Sequence, residues 1–101
     1  MISIKNSQVI KFEWDQGNQA KNQKKHNVTV TEAEEIFFDD NKHEYPDPTH
    51  SAKEVRKIVV GSTREGRLLF VIYTIRNKKI RIISARDLNK RKEEDLYEKA
   101  A

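Results

Sequence analysis

The stretch Arg67-Leu68-Leu69-Phe70-Val71-Ile72-Tyr73-Thr74-Ile75-Arg76-Asn77-Lys78-Lys79-Ile80-Arg81-Ile82-Ile83-Ser84-Ala85 decides the fold. Its two halves are rich in β-branched and aromatic residues, and the short polar gap Arg76-Asn77-Lys78 between them reads as a hairpin turn. In the first half Leu69, Val71, Tyr73 and Ile75 alternate with Leu68, Phe70 and Ile72. Apolar residues on both faces predict the central strand of a sheet. In the second half Ile80 and Ile82 flank Arg81, so Arg81 is predicted to face away from the core those isoleucines enter. Residues 53–61 form a third β-rich run, joined to the central one through Thr63-Arg64-Glu65-Gly66. The three runs predict an antiparallel meander.

Outward from the meander, Ile10-Lys11-Phe12-Glu13-Trp14 alternates as a short half-buried strand does. Trp14 there is expected to fill the edge of the core rather than to stack on a base. Residues 1–9 read as a weakly tethered arm, and residues 10–101 as one domain. Asp15 can cap a polar helix over 16–25. Thr31-Glu32-Ala33-Glu34 fits a capping box, predicting a second helix from Glu32 to about Phe38. Residues 39–51 hold both prolines without apolar periodicity and read as a long loop. Ser84-Ala85-Arg86-Asp87 offers another capping box, opening a last helix from Ala85 that carries Leu88, Leu96, Tyr97 and Ala100. The order β-α-α-β-β-β-α predicts an α+β fold, a small antiparallel sheet with helices packed on one face.

At 101 residues and 11.9 kDa the chain has room for one core. Leu68–Tyr73 is the longest apolar run, far short of the roughly 18 residues a membrane span needs. No signal-peptide core opens the chain, and there is no cysteine for a disulfide, a thiolate nucleophile or a Cys-based zinc site. A soluble cytoplasmic domain is expected. The net charge of +4 hides a division. Residues 1–50 carry six Lys, no Arg and nine acids, whereas residues 51–101 carry seven Lys, seven Arg and seven acids. Charge asymmetry of this kind points to a polyanion or an acidic protein partner, and arginine can grip a phosphate through two parallel hydrogen bonds.

With three glycines there is no phosphate-cradling loop motif, and no HExxH appears. His43 and His50 share a loop with Asp39, Asp40, Glu44 and Asp47, but solvation explains that grouping better than a metal does, so no metal or cofactor is expected. What remains is a basic, strand-borne set. Arg64 and Arg67 flank one turn, Arg76 flanks the other, Arg81 starts the last strand, and Arg86 is placed in the first turn of the last helix, where free backbone donors favour an anion. Metal-free RNA cleavage uses such groups: a base for the 2′-hydroxyl, an acid for the leaving 5′-oxygen, and fixed cations at the phosphorus. Lys25, His26 and His50 are the candidates for proton transfer.

The wording of several blocks carries a resemblance. Phe12-Glu13-Trp14-Asp15, Asn22-Gln23-Lys24-Lys25-His26-Asn27-Val28, Asp47-Pro48-Thr49-His50-Ser51 with Glu54 and Arg56, Gly61-Ser62, Gly66-Arg67-Leu68-Leu69, Tyr73-Thr74 and Ile80-Arg81-Ile82-Ile83-Ser84-Ala85-Arg86 are similar, in order and spacing, to the BrnT family of type II toxins. The resemblance implies a RelE-like fold and RNA cleavage that inhibits translation. It also implies a BrnA-like ribbon-helix-helix antitoxin bound in a hetero-oligomer. Asn18 departs from the lysine that many members carry. The catalytic residues expected on this reading are Arg81, Arg86, His50, Lys25 and His26, with Arg56, Arg64, Arg67, Ser51, Tyr73 and Arg76 contacting RNA. The alternative is a non-catalytic nucleic-acid-binding or regulatory module on the same scaffold.

Overall fold

The computed structural model describes residues 11–14, 26–48 and 55–98. The expected arm over 1–9, the polar helix over 16–25, and Lys25, His50 and Ser51 lie outside the described residues. The central prediction is met. β3 (Lys57–Ser62), β4 (Leu68–Arg76) and β5 (Lys79–Asp87) form the meander; with β1 (Phe12–Glu13) and β2 (His43–Pro46) they make a five-stranded sheet in the order β1-β5-β4-β3-β2, β4 in the middle. The β4–β5 turn holds Asn77 and Lys78 at φ 53° and 63°, the left-handed pair that a two-residue hairpin requires. At the other end Gly66 takes φ +89° and its N–H reaches the Thr63 carbonyl at 3.0 Å, closing the β3–β4 turn.

Two strands flank the meander and change its description. β1 (Phe12–Glu13) pairs in parallel with β5, Phe12 opposite Ile80 and Glu13 opposite Arg81, so the sheet is mixed rather than antiparallel. β2 (His43–Pro46) pairs antiparallel with β3, within the stretch expected to be loop. That strand has no apolar alternation to reveal it. His43 and Tyr45 carry the pattern with polar aromatic rings, and Glu44 accepts from the buried Tyr73 hydroxyl on the other face.

Each face of the sheet has its own cover, which corrects the expectation of helices on one face. On the back face Val59, Leu69, Val71, Tyr73, Ile80, Ile82 and Ala85 pack against Val28, Ala33, Ile36 and Phe37. These last come from α1 (Val30–Glu35), the 3-10 turn Ile36–Phe38 and the chain just before them. Gly61 permits that approach. A Cβ there would lie 3.0 Å from both the Cβ and the carbonyl oxygen of Ile36. On the front face α2 (Lys90–Glu98) brings Leu96 and Tyr97 against the cluster of Val60, Phe70 and Leu88.

Both helix starts are displaced from their expected positions. The capping box of α1 is Thr29 with Glu32, not Thr31 with Glu34: the Glu32 N–H donates to Thr29 Oγ1 at 3.1 Å and the Thr29 N–H donates to Glu32 Oε1 at 3.0 Å. Both pairs have the right spacing. Tertiary contacts choose between them, because Glu32 also holds Arg67 while Glu34 accepts from Trp14 Nε1 at 2.6 Å. The last helix opens at Lys90, and residues 84–87 continue β5, because Ala85 is buried in the core and Arg86 pairs with Phe70. Asn89 caps it, its side-chain oxygen accepting from the N–H groups of Arg91 and Lys92 at 3.1 and 3.3 Å.

Candidate nucleic-acid interface

A bulge in β5 determines which charges share a face. Tyr73 pairs with Ile82 and Ile72 with Ser84, leaving Ile83 as the extra residue. Strict alternation puts Arg81 and Arg86 on opposite faces, since their separation is odd. The bulge shifts the phase, so Arg81 lies opposite Thr74 and Arg86 opposite Phe70, both on the front face.

Near the 77–78 turn the front face carries a polar row across the whole sheet. Arg81 of β5 lies between Thr74 of β4 and Glu13 of β1. The register of β3 with β4, continued one residue past Lys57, sets Arg56 opposite Thr74. The Thr74 hydroxyl donates to the Val55 carbonyl at 2.7 Å, and the Asp47 N–H donates to the Arg56 carbonyl at 3.2 Å, extending the ladder to both neighbours. The row thus reads Asp47, Arg56, Thr74, Arg81, Glu13. Thr74 and Asp47 are buried at 3% and 4% exposure, and Arg81 Nη1 donates to Glu13 Oε1 at 3.0 Å. The buried Nε of Arg56 has no hydrogen-bond partner among the described residues. With strands about 4.8 Å apart, the Arg56 and Arg81 backbones are about 10 Å from one another across Thr74, within reach of a single anion for two long side chains. Arg76 and Lys79 extend the positive charge to the exposed turn.

Arg86 is held differently. Its guanidinium lies 4.0 Å from the centre of the Phe70 ring and donates to both Glu93 carboxylate oxygens of α2, at 2.8 and 2.7 Å. That forked pair lowers the pKa of Glu93 and raises that of Arg86. α2 is further fixed by the Tyr45 hydroxyl donating to the Leu96 carbonyl, and by Tyr97 donating to Asp39 Oδ2 at 2.8 Å. Burial and that carboxylate push the Tyr97 phenol up to about 12.

At the 63–66 end the cations are matched by acids. Arg67 donates from Nε and Nη2 to Asp87 at 2.7 and 3.1 Å, and from Nη1 to both oxygens of Glu32 at 3.1 and 3.0 Å. It also donates to the Asn27 and His26 carbonyls at 2.9 and 3.1 Å. Asn27 adopts φ 53°, the left-handed bend beside those two carbonyls. Arg67 thereby clasps β4, β5, the start of α1 and the chain before it. Its hydrogen bonds hold the Asp87 carboxyl below its ordinary range. Glu32 is held low too, burial acting against the Thr29 and Arg67 hydrogen bonds that prevail. Arg64 sits beside an acidic cleft lined by Glu34, Glu35, Asp39 and Asp40, its N–H donating to Glu35 Oε1 at 3.2 Å.

The residues singled out in the sequence therefore divide. Arg56, Arg76 and Arg81 come together at the 77–78 end. Arg64, Arg67 and His26 belong to the other end. Asp87, which feels the charge of His26, pairs with Leu69, about 17 Å along β4 from the partner of Arg81. His26 and Arg81 consequently do not meet at one phosphodiester. Tyr73 is in the core, 2% exposed on the back face, its ring edge-on to Phe37, and burial with the Glu44 contact raises its pKa. That placement removes it from any RNA surface, because its phase matches Leu69 and Val71 and not Thr74. Arg86 lies on β5 and not at a helix start. Glu13, Thr74 and Asp47 are not among the catalytic or RNA-binding residues that the sequence suggests. The alternation that places Arg81 on the front face also places Thr74 and Glu13 there, but only the strand pairing reveals the row.

A small α+β domain with a mixed sheet and cations gathered over one end of one face belongs to a class suited to gripping a polyanion. Over residues 14–92 the chain matches the family described as the ribonuclease toxin, BrnT, of type II toxin-antitoxin systems, and it belongs to that family. Among solved structures it is similar to the crystal structure of the Brucella abortus ribonuclease toxin BrnT, with a TM-score of 0.61 and 18% identity, over 80% of this chain and 99% of that one. At that identity the likeness speaks for the fold. No match was found among curated proteins.

Proposed function

We propose that this chain is the endoribonuclease of its toxin-antitoxin pair, cleaving RNA at the 77–78 end of the front face. The observation that carries this reading is the row in which Arg56 and Arg81 flank a buried Thr74. Two guanidinium groups there bind the scissile phosphate and stabilise the charge that develops on it, as a metal would elsewhere, so cleavage proceeds without a metal ion. Arg76 and Lys79 hold the neighbouring backbone. Arg86 adds a further cation along the strand, restrained by Glu93, so its share is smaller. Lys25 and His50 remain candidates for proton transfer. Cleavage of RNA in the cytoplasm stops translation, and a ribbon-helix-helix antitoxin of the BrnA kind restrains it by masking the basic end in a hetero-oligomer.

Purified chain incubated with RNA in EDTA tests this. Cleavage that Arg81→Ala abolishes while the melting temperature holds supports the enzyme. Salt-sensitive binding with no cleavage by the native chain supports the rival reading, a nucleic-acid-binding module on the same scaffold.

A further inference from the structure

We propose that Glu13 is the general base of the cleavage reaction; this rests on the ribonuclease reading above. Among the described residues three acids accompany these front-face arginines, Glu93 of α2 and Asp47 and Glu13 of the row, and Glu13 is the one placed for this work. Glu93 of α2 is the half-buried partner of Arg86, with both oxygens engaged. Asp47 is 4% exposed at the opposite edge of the row. Glu13 keeps a side-chain exposure of 32% and lies directly beside Arg81. Among the described residues only its Oε1 is hydrogen-bonded, to Arg81 Nη1 at 3.0 Å. Oε2 makes no hydrogen bond among the described residues, on a carboxylate held at its other oxygen.

Parallel pairing makes the arrangement rigid. The Ile80 N–H donates to the Lys11 carbonyl at 2.9 Å, and Phe12 anchors the strand edge-on against the buried Phe37 ring at 5.4 Å. Base and phosphate-binding cation therefore sit on neighbouring strands of one sheet. A phosphate drawn to Arg81 carries its 2′-hydroxyl to hydrogen-bonding range of Glu13, the reach a general base needs. Glu13 takes the proton of that hydroxyl, and the electron pair of the O–H bond becomes the new O2′–P bond. The P–O5′ bond breaks, and its electrons leave with the 5′-oxygen, which takes a proton from a solvent water. The proton on Glu13 then neutralises the hydroxide so formed. The products are a 2′,3′-cyclic phosphate and a 5′-hydroxyl, with no net change in protons.

Glu13→Gln, in the full chain and with RNA in EDTA, is the test. Glutamine still accepts from Arg81, so folding and RNA affinity persist while the single-turnover rate falls 10²-fold or more, within the range for loss of a general base. Added formate restores part of the rate to Glu13→Ala, which a purely structural role of Glu13 does not predict. A Glu13→Gln rate within threefold of wild type overturns the assignment while leaving the ribonuclease reading in place. A wild-type chain that leaves RNA intact overturns both.

Discussion

The two ends of the sheet carry similar numbers of arginines and use them for opposite purposes. At the 63–66 end Arg67 meets Glu32, Asp87 and two carbonyls, and Arg64 borders an acidic cleft. At the 77–78 end Arg56, Arg76 and Arg81 stand with Lys57, Lys78 and Lys79, and Glu13 and Asp47 are the acids of their row. The number of arginines in a segment is thus a poor guide to a phosphate site. What separates the ends is what surrounds the guanidinium groups: Arg67 is forked onto two carboxylates and two carbonyls, whereas the Arg81 row ends among the exposed lysines of the 77–78 turn.

The strongest way to break this comparison is to truncate one arginine at each end. Arg81→Ala is expected to cost 10²-fold or more in cleavage, as loss of a charge-stabilising donor does, with the melting temperature little changed. Its pair with Glu13 is half-exposed and contributes little to folding. Arg67→Ala is expected to do the reverse. It strands Glu32, Asp87 and two carbonyls at once, and with the partial exposure of the site taken into account the loss is about 2 kcal/mol. For a domain of this size that lowers the melting temperature by about 10 °C. Cleavage at a temperature where the variant remains folded should be near normal. If instead Arg67→Ala loses activity with its fold intact, the division of labour between the ends is wrong.

The clasp also has a pH signature. Glu32 and Asp87 have folded pKa values below their ordinary ones. Their contribution is present in full above the unfolded carboxylate range of about 4, and is lost as pH falls through the lower folded values. Thermal melts should show stability declining below about pH 4, with a shallower decline in Arg67→Met, which cannot hold either carboxylate low. Equal slopes in the two proteins would remove Arg67 as the cause.

Arg86 lies between the two cases, and a smaller effect separates its roles. Arg86→Lys keeps the charge but loses the forked contact to Glu93 and the flat packing on Phe70. A drop of about 1 kcal/mol in stability with a less than tenfold fall in cleavage is expected. A loss of most of the rate without loss of stability would move Arg86 into the catalytic group beside Arg81.

How much of this was legible follows from what each residue contacts. The meander, the central strand and the basic second half could be read because each rests on local alternation and composition. β2 could not, because its inward residues are His43 and Tyr45, whose aromatic rings carry polar atoms that break a hydrophobic pattern. The choice of Thr29 over Thr31 and of Lys90 over Ala85 as helix starts was made by Arg67 and by Ala85 burial, contacts distant in sequence. The candidate site was half visible. Arg81 and Arg56 could be chosen for charge and phase, but the Arg67 clasp and the Ile83 bulge belong to pairing, and they decide which arginines are clasped and which share a face.

The smallest expected effect compares the two turns themselves. Arg76→Gln and Arg64→Gln each remove one exposed positive charge beside a turn, and neither should lower stability by more than about 0.5 kcal/mol. Their effects on RNA should differ. Arg76 adjoins Lys78 and Lys79 on the path of the proposed strand. Losing one phosphate contact there should weaken binding a few-fold and reduce the slope of log affinity against log salt by about 0.7, the value for a single-stranded ligand. Arg64 faces Glu34, Glu35, Asp39 and Asp40, whose negative field repels a phosphate backbone. Its loss should leave both affinity and slope unchanged. Titrations of a fluorescent RNA at several salt concentrations measure both quantities at once. Equal slopes for the two variants would mean that the strand spans both ends of the sheet, and the acidic cleft would then have to be crossed rather than avoided.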